Sequence, residues 1–298
     1  MMINMQPAIL PGVPRIARYL SFSLRPGAKP AESMDSLREI AIDESLVVGI
    51  GEPLSAHWGS AVQGLRTFPA LSGPGVEMPS AQHALWIWLR GDDLGEIVGR
   101  SNTIAGNLDA TFRLEEAVNA FKFGDAELGH DLTGYEDGTE NPTDDDAVEA
   151  AFMNDGVEGA AGSSFVAVQQ WVHDLKCFSS LPQSEQDNII GRRLSDNEEI
   201  EDAPESAHVK RTEQESFDPA AFVVRRSMPF AESYGEGLMF VAFGKSLDAF
   251  EMQLRRMSGS EDGIPDALFR FSRAINGGYY WCPPVRDSRL DLRIVESD

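Results

Sequence analysis

The 298-residue chain carries 48 Asp and Glu against 25 Lys and Arg, a formal charge of −23, with 42% hydrophobic and 24% charged residues. That length suits one large domain or two of about 150 residues with a sizeable core, and so acidic a surface repels phosphate backbones and anionic lipid, which excludes nucleic acid and membrane as expected partners. A disulfide framework and a structural zinc site are not expected either, because Cys177 and Cys282 lie far apart and form no CxxC pair.

The N-terminal stretch MMINMQPAILPGVPRIARYL is interrupted by Pro7, Pro11 and Pro14 and does not read as a secretory signal. No apolar run reaches the ~18 residues a span needs, so a cytoplasmic protein is expected. Ala84–Leu89 (ALWIWL) is an apolar run of strand length. Behind it, RGDDLGEIVGRSNTIAG repeats apolar residues at three- and four-residue steps, as an amphipathic helix does. The layout returns at Gly237–Phe243 (GLMFVAF) followed by GKSLDAFEMQLRRMSG. At an offset of 153 residues (238 − 85), Leu85 falls on Leu238, Leu94 on Leu247, Ile97 on Phe250 and Ile104 on Met257.

A strand followed by a helix, twice and half a chain apart, predicts two similar α+β domains with antiparallel sheets, each covered by helices on one face. The polar, glycine-rich stretch Thr143–Ser164 is the expected linker, with domains at residues 1–145 and 146–298. After it, FVAVQQWV reads as a strand, and Leu194–Ser206 (LSDNEEIEDAPES) as a second acidic loop.

The five histidines form no HExxH or HxH arrangement, and His173 with Cys177 four residues on does not make a metal site. There is no GxSxG elbow, P-loop or GxGxxG. Gly134–Pro142 (GYEDGTENP) admits three readings: a tight surface turn, a calcium loop, or a clamp on a planar ligand. EF-hand spacing is absent. In the third reading, glycines allow close backbone approach and Asp137 serves as a proton shuttle. In Ala207–Phe230 (AHVKRTEQESFDPAAFVVRRSMPF), His208 directly follows the acidic loop. Phe222–Met228 reads as a strand with Arg225 and Arg226 in its interior, so one of the two points inward. A buried arginine needs an anionic partner, such as Asp137 or a bound oxyanion.

Together GYEDGTENP, His208 in AHVKR, Arg225 in VVRRSMPF and the LMFVAF strand resemble the dye-decolourising peroxidases, haem enzymes of bacteria and fungi, and above all their bacterial cytoplasmic branch. The resemblance runs from QPAILPG near the start to GGYYWCPP near the end. It implies an α+β chain of two ferredoxin-like domains with antiparallel sheets, and haem b in a pocket of the C-terminal half with His208 as proximal iron ligand. Asp137 and Arg225 are implied on the distal side as catalytic residues, with Gly138 of the GxxDG turn against the cofactor. Leu238 and Phe240 are implied to cap the distal face, and Arg192 to lie beside a propionate. Ser227 stands where some relatives have an asparagine. Arg270 precedes Phe271 and Ser272 where some carry an aspartate, so no carboxylate partner of His208 is identified.

The implied activity is a haem peroxidase that reduces hydrogen peroxide and oxidises a small-molecule reductant, such as a dye or phenolic, through ferryl intermediates. Trp58, Trp86, Trp88, Trp171, Trp281, Tyr234, Tyr279 and Tyr280 form the pool from which surface oxidation sites would be drawn. The alternative is a haem-binding protein that stores, carries or releases haem, with incidental peroxidase activity. A homo-oligomer is implied. The tail RLDLRIVESD lacks the small-residue apolar motif by which some relatives are packaged, so no encapsulating shell is expected.

Overall fold

The computed structural model describes residues 4–154 and 159–296; Met1–Ile3, residues 155–158 inside the expected linker, and Ser297 and Asp298 of the tail lie outside the described residues. In the first half, strands Ile16–Leu24 (β1), Leu46–Gly51 (β2), Leu85–Gly91 (β3) and Phe112–Phe121 (β4) alternate with helices. Helix Pro30–Arg38 (α1) lies between β1 and β2, and Leu94–Leu108 (α2) between β3 and β4. Asp93 caps α2 by accepting the Glu96 amide at 2.9 Å, which fixes where the amphipathic pattern turns helical.

The second half begins after helix Asp144–Ala151 (α3) with strand Ser164–His173 (β5). The short helix His208–Thr212 (α4) follows, then strands Met228–Glu232 (β6) and Gly235–Gly244 (β7), helix Asp248–Met257 (α5) and strand Gly278–Cys282 (β8). The spatial order is β4-β1-β3-β2 in one half and β8-β5-β7-β6 in the other: the fourth, first, third and second strand each time. Every pairing among them is antiparallel. The chain is therefore α+β.

The two sheets do not stand apart. Tyr280 and Trp281 of β8 pair with Gly51 and Ile50 of β2, Ala120 of β4 pairs with Phe230 of β6, and the eight strands close into a ring. This explains ALWIWL. Trp86 and Trp88 point into the ring, with Tyr19, Val118, Phe243 and Tyr280. Leu85, Ile87 and Leu89 point outward under the helices, with Ile97, Ile104 and Leu108 of α2. A strand covered on both faces reads as continuous apolar sequence, whereas sheets covered on one face alone would alternate. The predicted repeat has a matching layout: Phe250, Leu254 and Met257 of α5 pack in the outer core as Ile97 and Ile104 do.

Two expectations are corrected. The stretch Thr143–Ser164 is not simply a polar linker, because α3 buries Ala147, Ala150 and Ala151. Asp144, Asp145 and Asp146 fill its first turn, where carboxylates offset the positive helix end. Phe222–Met228 is not one strand either. Only Val224–Arg225 pairs with β7, opposite Phe243 and Ala242, and pairing resumes at Met228. No helix among the described residues is long and apolar enough to cross a membrane.

Candidate active site

A cavity holding about 1260 Å³ of empty space, including its mouth, opens between the GYEDGTENP turn, α4 and the outer face of β7. The turn is held by glycine: Gly134 and Gly138 have φ of 93° and 72°. A Cβ at Gly138 would lie 2.5 Å from both Asn141 and Leu128. Asn141 ties the turn to the Val224–Arg225 strand, its Oδ1 accepting the Arg225 amide at 2.6 Å and its amide donating to the Arg225 carbonyl at 3.3 Å. Strain from Gly138→Ala therefore falls on the loop that aims Asp137. That variant is expected to lower Tm by several degrees by calorimetry.

Register decides where the arginines go. Arg225 lies opposite Ala242, whose side chain belongs to the outer core, so Arg225 faces the cavity. Its guanidinium forms an ion pair with the Asp137 carboxylate and stands 5.8 Å from the Phe240 ring centre, while its Nε is buried without a partner. Burial pushes the guanidinium down to about 10, opposed by the charge of Asp131; it stays protonated at neutral pH. Arg226 turns the other way and is buried against the carbonyls of Leu10, Pro11 and Arg225. The two arginines thus face opposite sides, as alternation predicts: Arg226 is buried on backbone oxygens, and the partly buried Arg225 rests on a carboxylate.

His208 opens α4 on the same cavity. Its Nδ1 lies 2.7 Å from Oδ2 of Asp266, whose side chain is fully buried. Oδ1 of Asp266 accepts the Leu268 amide at 2.8 Å. With Nδ1 donating to this anchored carboxylate, Nε2 is left with its lone pair for a ligand. Arg270, where some relatives carry an aspartate, pairs instead with Glu185 at the surface. The available signal was Asp266 itself, an N-cap residue ahead of the short turn Ala267–Arg270.

The remaining site residues divide. Leu238, Gly138 and Arg192 line the cavity. Arg192 is tied to Glu140 and to the Asn197 carbonyl, within the acidic loop. Phe240 reaches the cavity through Arg225 rather than lining it. Ser227 is buried, and its hydroxyl accepts the Val241 amide at 3.3 Å. His173 does not pair with Cys177. It lies on the cavity with Nε2 3.1 Å from Asp131 and Nδ1 2.7 Å from Ser272. Sequence reading did not pick out Asp131.

A ferric or ferrous porphyrin fits this donor set. One histidine presents Nε2, its other nitrogen is fixed on a buried carboxylate, an unpartnered arginine nitrogen is buried at the cavity, and a second arginine sits within the same wall.

Residues 129–287 match the family "Dyp-type peroxidase, C-terminal". The dye-decolorizing peroxidase of Mycobacterium tuberculosis is 31% identical over 254 residues, 81% of this chain and 73% of that one. The dye-decolorizing peroxidase of Brevibacterium linens is 29% identical over 287 residues, 90% and 77% of the two chains. Among solved structures, a putative Dyp-type peroxidase from Shewanella oneidensis superposes with a TM-score of 0.85 at 27% identity, covering 100% of both chains. An arginine-to-leucine variant of DypB from Rhodococcus jostii, solved in complex with heme, superposes with a TM-score of 0.84 at 27% identity, covering 93% of this chain and 95% of that one.

Proposed function

The chain belongs to the dye-decolourising peroxidase family and is a haem peroxidase, and from that membership we propose that His208 holds the haem iron from one side while Arg225 and Asp137 act on peroxide from the other. The observation that carries the assignment is the pairing of residues on one cavity: His208 anchored by Asp266, and Arg225 ion-paired with Asp137. When bound, haem supplies the iron at which peroxide is reduced and oxidising equivalents are stored. The protein's part is electrostatic and protonic. Arg225 presents fixed positive charge where the departing oxygen gains negative charge, as an oxyanion-hole donor does. Asp137 takes the proton that peroxide loses and returns it to the leaving oxygen as the O–O bond breaks. Gly138 keeps backbone, not side chain, against the cofactor. Leu238 and Phe240 exclude water, and Arg192 is the proposed propionate contact.

We extend the proposal to architecture and setting. Each half is a ferredoxin-like domain, 1–145 and 146–298, with the Asp137 loop reaching from the first over a haem pocket in the second. The repeated strand order supports this reading. A cytoplasmic location is supported by two free cysteines, one exposed and one buried. A homo-oligomer completes the proposal, and the molar mass in solution tests it.

The experiment is a visible spectrum of haem-reconstituted protein before and after one equivalent of peroxide, followed by turnover of a dye. A Soret band that shifts with peroxide and returns with reductant supports the assignment. A haem that transfers readily to apomyoglobin and turns over poorly supports a haem-handling protein instead. With a formal charge of −23, a cationic dye is expected to be oxidised with a lower KM than its anionic analogue at low salt, and the gap should close as the Debye length shrinks. A preference for the anionic dye removes that role for the surface.

A further inference from the structure

A reductant too large to share the cavity with haem needs a route through the wall, and Tyr135 stands in that wall. It is the one Trp or Tyr among the described residues that lines the cavity. It also lines a smaller pocket of about 420 Å³, counted with its mouth, between the GYEDGTENP turn and residues 193–197. Its ring is buried in an apolar cluster with Phe178, Ile189 and Phe271, and Phe271 itself lines the haem cavity. Phe178 meets the ring edge-on at 6.2 Å. The Tyr135 hydroxyl donates to Oδ1 of Asp187 at 2.5 Å and accepts the Gln183 side-chain amide at 3.1 Å. Oδ1 of Asp187 further accepts the Gln183 side-chain amide at 2.8 Å and the Leu194 amide at 3.2 Å. Burial, with the hydrogen bond to Asp187 and its charge, pushes the Tyr135 phenol up. Burial also raises the Asp187 carboxyl, but the hydrogen bonds from Tyr135, Gln183 and Leu194 win and hold it below the usual carboxylate range. At neutral pH the pair is a phenol donating to an ionised acceptor. The eight Trp and Tyr side chains singled out from sequence left Tyr135 out, because nothing local marks its place on the cavity.

A phenol that loses an electron becomes a strong acid, so a buried tyrosine is oxidised readily only with a base already on its hydroxyl. Resting on the peroxidase reading above, we propose that Tyr135 relays oxidising equivalents from the haem cavity to the pocket at residues 193–197, with Asp187 holding its proton in transit. One electron passes from the Tyr135 ring to the haem centre that peroxide has oxidised. The hydroxyl proton moves to Oδ1 of Asp187, leaving a neutral radical beside a neutral carboxyl. A reductant in the outer pocket then gives one electron to the ring, and the proton returns to the phenol oxygen. The net transfer is one electron from reductant to haem, and two such passages complete the reduction of one peroxide. The outer pocket sets exposed Leu194 beside Arg193, Asp196 and Asn197, an apolar contact with polar neighbours that a phenolic or arylamine reductant can use. The other aromatic side chains are less well placed. Trp171 is buried and pairs with Leu238 without lining the cavity, and exposed Tyr234 is hydrogen-bonded to Gln170, which does not line it either.

The test uses the full-length holoenzyme, mixed with one equivalent of peroxide in the absence of reductant and frozen for electron paramagnetic resonance. A tyrosyl signal is expected, narrowed in protein labelled with ring-deuterated tyrosine. Tyr135→Phe, which keeps the ring in its apolar cluster, should remove it. Asp187→Asn keeps an oxygen for the three donors that Oδ1 serves but is no longer a base, so it should suppress the signal as well. Asp187→Glu, which restores the base, should recover it. In steady state, kcat/KM for a bulky anthraquinone dye relative to that for hydroquinone is expected to fall about tenfold in Tyr135→Phe and in Asp187→Asn. A purely structural role would lower Tm and move neither the signal nor this ratio. Where Tyr135→Phe does not fold, Asp187→Asn carries the test, because it retains the hydrogen bonds. A wild-type enzyme without a tyrosyl signal, or a signal undiminished in either variant, overturns the relay. If the Soret band does not respond to peroxide at all, the peroxidase reading itself falls, and the relay with it.

Discussion

Replacing Arg225 by leucine is expected to lower kcat/KM for hydrogen peroxide by about 10²–10³-fold, the usual loss when a preorganised donor to a developing anion is removed. Asp137→Ala is expected to cost less, by at least about tenfold, because the two residues supply different things. A proton has more than one route. Water entering the space left by the Asp137 side chain can carry it between the two peroxide oxygens. Fixed positive charge has no such substitute: Arg225 is the cation paired with Asp137, and Arg226 beside it in sequence is turned away onto backbone carbonyls. Stopped-flow mixing with peroxide measures both variants. Equal haem content must be established first, since leucine leaves the Asp137 carboxylate unpaired in a largely buried setting. An Arg225→Leu enzyme that reacts at the wild-type rate sinks the assignment.

How much of this was legible in the sequence depended on whether the information was local. The strands ALWIWL and GLMFVAF, the helices behind them and their common spacing could be read from periodicity alone, and they fall on β3, β7, α2 and α5. The GYEDGTENP turn declared itself through its glycines, both of which have positive φ. The closing of two sheets into one ring was not legible. It depends on a few non-local pairs, Tyr280 with Gly51, Trp281 with Ile50 and Ala120 with Phe230, that carry no sequence mark. Arg225 and Arg226 illustrate the same boundary. Alternation correctly sent them to opposite sides, but burial of the second depended on carbonyls more than 200 residues away in sequence, at Leu10 and Pro11. Asp266 and Asp131 were missed for that reason too. Each is an aspartate with ordinary neighbours whose partner, His208 or His173, is brought to it only by the fold.

His208→Ala is expected to abolish stable haem binding, read as loss of the Soret band after gel filtration of protein reconstituted with equimolar haem. On the proposed assignment the His208 imidazole would supply the protein ligand to the iron, and the rest of the cavity would contribute packing and charge. The same logic separates ligand from orienting group. Asp266→Ala keeps His208 but frees its ring and removes the cap on the Leu268 amide, so haem is expected to bind about 10–100-fold more weakly. With its single acceptor oxygen on Nδ1, Asp266→Asn keeps the acceptor for His208, gives up the cap on the Leu268 amide and removes the negative charge. It should therefore keep its haem and show a more positive iron reduction potential, since the imidazole donates less electron density to ferric iron. A shift of about 59 mV corresponds to a tenfold change in the relative stability of the two oxidation states. Potentiometry on Asp266→Asn is informative because a defect in folding would not raise the potential of an intact haem centre. A Soret band that survives in His208→Ala with an unchanged spectrum would assign the iron to another ligand and remove the basis for any effect of Asp266.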